Sequence, residues 1–122
     1  MRVIIAEPQK KPVVREIDAG LEAMQKIVGG SIEAVYPFED PVALICNEES
    51  KLLGLPLNRA LRDEDGTVYD IISGTFFLCA APPDSDRFES LSDQQVRTYL
   101  ERFAMPEMIL NVGGDLFVLP YL

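Results

Sequence analysis

The chain has 122 residues, 48% of them hydrophobic and 25% charged; 11 Lys and Arg stand against 20 Asp and Glu, a net charge of −9 with no histidine. That length and composition predict one compact globular domain over residues 1–122, able to hide roughly two thirds of its unfolded surface without metal or disulfide staples. The acidic balance argues against direct nucleic-acid binding, which rests on Lys and Arg neutralising phosphates, and the missing imidazole removes Ser-His-Asp, Cys-His and His-dependent zinc chemistry.

In chain order, Val3-Ile4-Ile5 marks a strand over residues 2–7, and Val13, Val14 and Ile17 mark a second over residues 12–17, with Pro8 to Lys11 as the hairpin loop between them. Asp18 stands where an N-cap belongs. Leu21, Met24, Ile27 and Val28 then fall on one helical face, and Gly29-Gly30 ends the helix by supplying a residue able to turn left-handed. Ser31–Phe38 and Val42–Asn47 read as a second hairpin around Glu39-Asp40-Pro41. Glu48 to Gly54 is polar and loop-like, and Leu55 to Leu61 reads as an irregular or single-turn segment ahead of the turn Asp63-Glu64-Asp65-Gly66.

Thr67–Ile72 and Gly74–Ala81 follow as strands, the second so apolar that it belongs at the centre of a sheet. Ser92 with Gln95 forms a capping box, Leu91 and Val96 occupy hydrophobic-staple positions, and Val96, Tyr99, Leu100 and Phe103 recur at helical spacing until near Ala104. The tail holds two apolar runs around Gly113-Gly114, the composition of a tight hairpin closed by Pro120. Strands grouped in hairpins, with two helices packed on them, predict an α+β fold with a mostly antiparallel sheet.

Cys46 and Cys79 each sit inside an apolar run without Cys-x-x-Cys spacing, which fits buried, inert thiols; a disulfide or a functional thiol is the alternative. Asn58, Arg59 and Arg62 group forked donors that could bind a carboxylate or phosphate. The plainer reading is that the arginines pair with Asp63, Glu64, Asp65 or Asp70. Tyr36-Pro37-Phe38-Glu39-Asp40 and Tyr69-Asp70 set aromatics beside acids, as an aromatic pocket edged by carboxylates would, or as core aromatics followed by turn acids would. Glu39/Asp40, Glu48/Glu49 and Asp63/Asp65 are adjacent carboxylates expected in turns, and the Asp63–Gly66 loop lacks the downstream glutamate of a calcium hand. Neither glycine pair has phosphate-loop spacing. The acid excess permits mimicry of a nucleic-acid backbone, with plain solubility as its rival.

The stretch from Gly20 to Tyr36, together with Leu55-Pro56-Leu57-Asn58-Arg59 and Asp70-Ile71-Ile72-Ser73-Gly74-Thr75-Phe76-Phe77, resembles the family of domain of unknown function 3846. The resemblance covers residues 1–80 well and continues more loosely through Tyr99, Phe103, Pro106-Glu107 and Val118-Leu119-Pro120. It implies a small protein of a bacterial mobile element or phage and names no reaction.

The resulting expectation is a small, non-enzymatic binding module that engages a protein partner or a small anionic ligand through Tyr36, Asn58, Arg59, Arg62 and Asp70, with no catalytic residue, cofactor or metal. Two alternatives are an acidic antirestriction decoy filling a DNA-binding groove and a carboxylate-only, metal-dependent enzyme. No run reaches the roughly 18 apolar residues of a membrane span, and Glu7 interrupts the N-terminal apolar stretch, so a cytoplasmic protein without membrane contact is expected. The apolar tail from Leu116 to Leu122 either completes the sheet or pairs with a second copy.

Overall fold

The computed structural model describes residues 1–121, and Leu122, the end of the apolar tail, lies outside the described residues. Among them nine strands and two helices follow in the order β1 (Arg2–Ala6), β2 (Val13–Glu16), α1 (Leu21–Val28), β3 (Ile32–Val35), β4 (Val42–Asn47), β5 (Leu57–Arg62), β6 (Val68–Ser73), β7 (Phe76–Ala80), α2 (Asp93–Arg102), β8 (Glu107–Val112) and β9 (Asp115–Pro120). The fold is α+β and every strand pair is antiparallel. The strands divide into a five-stranded sheet ordered β2-β1-β7-β4-β3 and two separate hairpins, β5–β6 and β8–β9.

β7 drops between the β1–β2 and β3–β4 hairpins and joins them, which puts the most apolar run at the centre of the sheet. Every residue of β4 and β7 is buried. Side chains alternate across a strand, so Ile4, Val42, Leu44, Phe76 and Leu78 face one side while Val3, Ala43, Ile45, Phe77 and Cys79 face the other. Both faces are covered, which is why these strands read as unbroken apolar runs. Met24 and Val28 of α1 cover the second face; Tyr99 of α2, Phe103 just beyond it, and Leu61 and Ile72 of the β5–β6 hairpin cover the first.

Several local expectations hold. Gly29 takes the left-handed conformation at φ 81° and closes α1, and the Ser92–Gln95 capping box forms in both directions. Gly113 and Gly114 are both left-handed, as a two-residue hairpin turn requires.

Others change. The N-cap of α1 is Gly20 with no side-chain cap, because Asp18 still belongs to the extended segment that follows β2. Leu21, placed on the buried face by spacing, is exposed in the first turn, before the helix reaches the sheet. The strand expected over Ser31–Phe38 ends at Val35, and the irregular segment expected over Leu55–Leu61 is largely strand β5. Asn58 and Arg59 hid that strand: polar residues at consecutive positions break the apolar alternation by which a strand is recognised.

Candidate functional site

Asn58 and Arg59 are 0% and 1% exposed, a strong inversion of the usual surface preference for such side chains. A β-bulge makes this possible. The register slips between Leu57 and Arg59, two residues of β5 opposing one of β6, and a bulge re-aims side chains that would otherwise alternate. The Asn58 amide donates to the carbonyls of Ala6 and Gly74, both at 2.9 Å, while its oxygen accepts from Arg59 Nη1 at 2.7 Å. Arg59 Nη2 donates to the carbonyls of Lys10 at 2.8 Å and Phe103 at 3.0 Å.

One guanidinium thus ties together the β1–β2 loop, the end of α2 and β5. Among the described residues no carboxylate lies within ion-pair distance of Arg59, and its Nε has no partner. Burial lowers the Arg59 pKa from its ordinary value, and the nearby Glu107 works against that shift. The forked donors expected to hold an external anion are turned inward and spent on backbone carbonyls, so Asn58 and Arg59 are structural groups in this state of the chain.

The other three residues of the expected site lie apart. Arg62 reaches the surface, where its Nη2 pairs with Glu107 Oε2 at 2.7 Å; Glu107 Oε1 accepts from the Ala60 amide at 2.9 Å. Asp70 accepts from Lys51 Nζ at 3.0 Å and from the Ile71 amide at 2.8 Å, beside Glu33 and Cys46. Tyr36 is exposed on the α1 side of the sheet, near Met24, Arg87 and Phe88. Of the pairings weighed from sequence for the two arginines, none with Asp63, Glu64, Asp65 or Asp70 forms; the partner of Arg62 is Glu107, from the far end of the chain.

Arg62 does line a cleft of about 790 Å³ between the β3–β4 turn, the β5–β6 turn and α2. Its walls carry Glu39, Asp40, Asp63, Glu64 and Asp65 against Arg62 and Arg102, with Tyr69 at the edge. The floor is organised by aromatic contacts. Phe38 packs on Tyr99 at 4.7 Å between ring centroids, Arg102 lies 4.8 Å over the Phe38 ring, and the Tyr99 hydroxyl donates to Asp40 at 2.9 Å. Burial, followed by the Asp40 contact, raises the Tyr99 pKa well above its ordinary value and keeps the phenol a donor.

Sequence alone does not mark Tyr99 and Arg102 as site residues, because Tyr99 carries the helical core stripe and Arg102 the usual basic C-terminal turn of a helix. Their junction with Asp40 is long-range. Asp63 accepts from the amides of Asp65 and Thr67, both at 2.9 Å, and so closes the β5–β6 turn. Among the described residues no three Asp, Glu, His or Cys side chains converge as a metal site.

Cys46 and Cys79 are free and buried. They face opposite sides of the sheet, since Cys79 pairs with Ala43 and Cys46 lies an odd number of residues along β4. Burial pushes the Cys79 thiol up to about 12; burial and then Glu33 push Cys46 up to about 11. Among the described residues no helix is long and apolar enough to cross a membrane.

No curated protein and no solved structure matches this chain. The profile of one family matches residues 1–104, a span running from β1 through α2 that holds both the buried Asn58–Arg59 contacts and the cleft. The chain therefore belongs to the family described as domain of unknown function (DUF3846).

Proposed function

We propose that the protein is a non-enzymatic binding module, carried by a bacterial mobile element or phage as the family resemblance implies, and that its partner is a protein presenting a basic segment to the cleft beside α2. The carrying observation is the charge of that cleft: five acidic side chains against two arginines, with Tyr69 exposed at its edge. A groove lined mainly by one sign of charge attracts the opposite sign and speeds encounter. The same excess disfavours a small anionic ligand, the more so because Arg62 is neutralised by Glu107 and Arg59 is sealed inside. The reading as a binder rather than a catalyst draws support from the lack of histidine and from two buried thiols with raised pKa values.

The test is an NMR titration of the labelled chain with a hexa-arginine peptide at low and at physiological salt. The expected result is shifts confined to the amides of residues 38–40, 62–66 and 98–102, weakening as salt screens the contact, and lost in Asp63→Asn/Glu64→Gln/Asp65→Asn. Shifts scattered over the surface, or unaffected by that variant, would remove the cleft as the site. Shifts on adding inorganic phosphate that vanish in Arg62→Ala would establish the anionic ligand instead. A second reading, the acidic decoy, is favoured by the outward exposure of Glu39, Asp63, Glu64 and Asp65; it requires that duplex DNA compete with the chain for the partner.

A further inference from the structure

The β8–β9 hairpin lies beyond the family-matched span and is built almost wholly of apolar residues, yet most of it is exposed. Its register sets Met108 opposite Leu119 and Leu110 opposite Phe117. Opposed residues of an antiparallel pair share a face, so Leu110, Val112, Phe117 and Leu119 form one continuous stripe, and Tyr121 continues its alternation. These five residues are 38–59% exposed and together offer on the order of 400 Å². Glu107, which bonds into β5 through the Ala60 amide and Arg62, belongs to the opposite face. A two-stranded hairpin is marginal in water unless one face is packed.

We infer that the Phe117 face of this hairpin is a homodimer interface, covered by the same face of a second copy about a two-fold axis. Two arguments select a second copy. The first is area: two such faces remove about 800 Å², most of the roughly 1,000 Å² that a specific interface must clear, before Met108 and any rim contact are added. The second is charge. Each copy carries −9, so like charges oppose any contact between copies made through the acidic surface. From Met108 to Tyr121 Asp115 is the lone charged side chain, and it sits at the turn. Asp115 pairs with Val112 at the turn end of this face, and the rest of the face is an uncharged, self-complementary surface of the kind an isologous contact requires; one peripheral acid is a poor lure for a basic partner, and an anionic bilayer would repel the molecule as a whole. This inference is independent of the cleft, which lies on other elements.

Light scattering on the full-length chain after size exclusion tests it. The expected result is twice the 13.6 kDa of one chain at about 100 µM, with Phe117→Asp and Leu119→Asp each weakening association by roughly 100-fold or more while the far-ultraviolet spectrum keeps its wild-type shape. Val112→Lys, at an exposed position next to the turn, gives the same readout should the first two disturb the hairpin. A wild-type chain that remains at the monomer mass at that concentration overturns the inference. So does a dimer that survives all three substitutions, or phosphatidylserine vesicles that bind the chain in place of a second copy.

Discussion

The Asn58–Arg59 contacts and the β8–β9 hairpin invert the usual distribution of residues in opposite directions. In the first, a charged guanidinium and an amide are buried between the sheet, α2 and the β1–β2 loop; in the second, an apolar ribbon stands in solvent. The buried polar pair is satisfied by five hydrogen bonds within the chain, which offset most of its desolvation. The apolar ribbon meets β5 along β8, but its Leu110–Phe117 face stays exposed among the described residues. Burial with internal partners is the signature of a structural element, and exposure without them is the signature of a surface made for another molecule. Glu107 connects the two, belonging to β8 while sealing the Ala60 amide next to Arg59.

The largest effect should come from Arg59→Ala, which strands the carbonyls of Lys10 and Phe103 and leaves a void between three elements. We expect a loss of about 3–5 kcal/mol in urea unfolding; a loss below about 1 kcal/mol would mean that the guanidinium is not structural and would reopen its role as a ligand donor. Asn58→Ala should follow at about 2–3 kcal/mol, since Ala6 and Gly74 lose their donor and Arg59 loses its acceptor.

The thiols report whether the interior stays closed. With folded pKa values near 11 and 12 against an ordinary 9.0, Cys46 and Cys79 bind protons more tightly folded than unfolded, so stability is untouched below pH 9 and falls as pH rises through the window from 9 toward 11 and 12. Urea midpoints should therefore drop between pH 8.5 and 10.5, with a shallower drop in Cys79→Ala, and neither thiol should react with iodoacetamide at pH 8 until the chain unfolds. Fast labelling of the native chain would show that the sheet opens locally.

Ser92→Ala removes the capping box of the helix whose far end presents the Phe103 carbonyl to Arg59, and should cost about 1 kcal/mol. Smallest of all, Leu116→Lys, on the hairpin face opposite Phe117, should change monomer stability by no more than about 0.5 kcal/mol. A larger loss there would indicate that the hairpin supports the fold and would erase the contrast with the buried pair.

Where local chemistry decided a feature, it was readable. Gly29, the Ser92–Gln95 box and Gly113-Gly114 occupy the positions expected of them because caps and tight turns depend on residues a few positions apart. The central place of Phe76–Ala80 was readable because a strand covered on both faces must be apolar throughout. Asp18 misled because a good capping residue does not cap until the chain turns, and here the turn comes at Gly20. Arg59 misleads for a deeper reason: the same donors suit an external carboxylate or two backbone carbonyls and the Asn58 amide oxygen, and only the fold states which of them is near.

By itself, then, the sequence determined the β1–β2, β3–β4 and β8–β9 hairpins, the two helices, the central strand, the negative net charge and the family, all of them set by composition or by neighbours along the chain. Tertiary structure decided that the sheet has helices on opposite faces, that the bulge in β5 turns Asn58 and Arg59 inward, that Tyr36, Arg62 and Asp70 stay apart, and that Asp40, Tyr99 and Arg102 meet in one cleft. Each of these depends on contacts between residues far apart in the chain, where the free energy of packing the whole molecule outweighs any local preference.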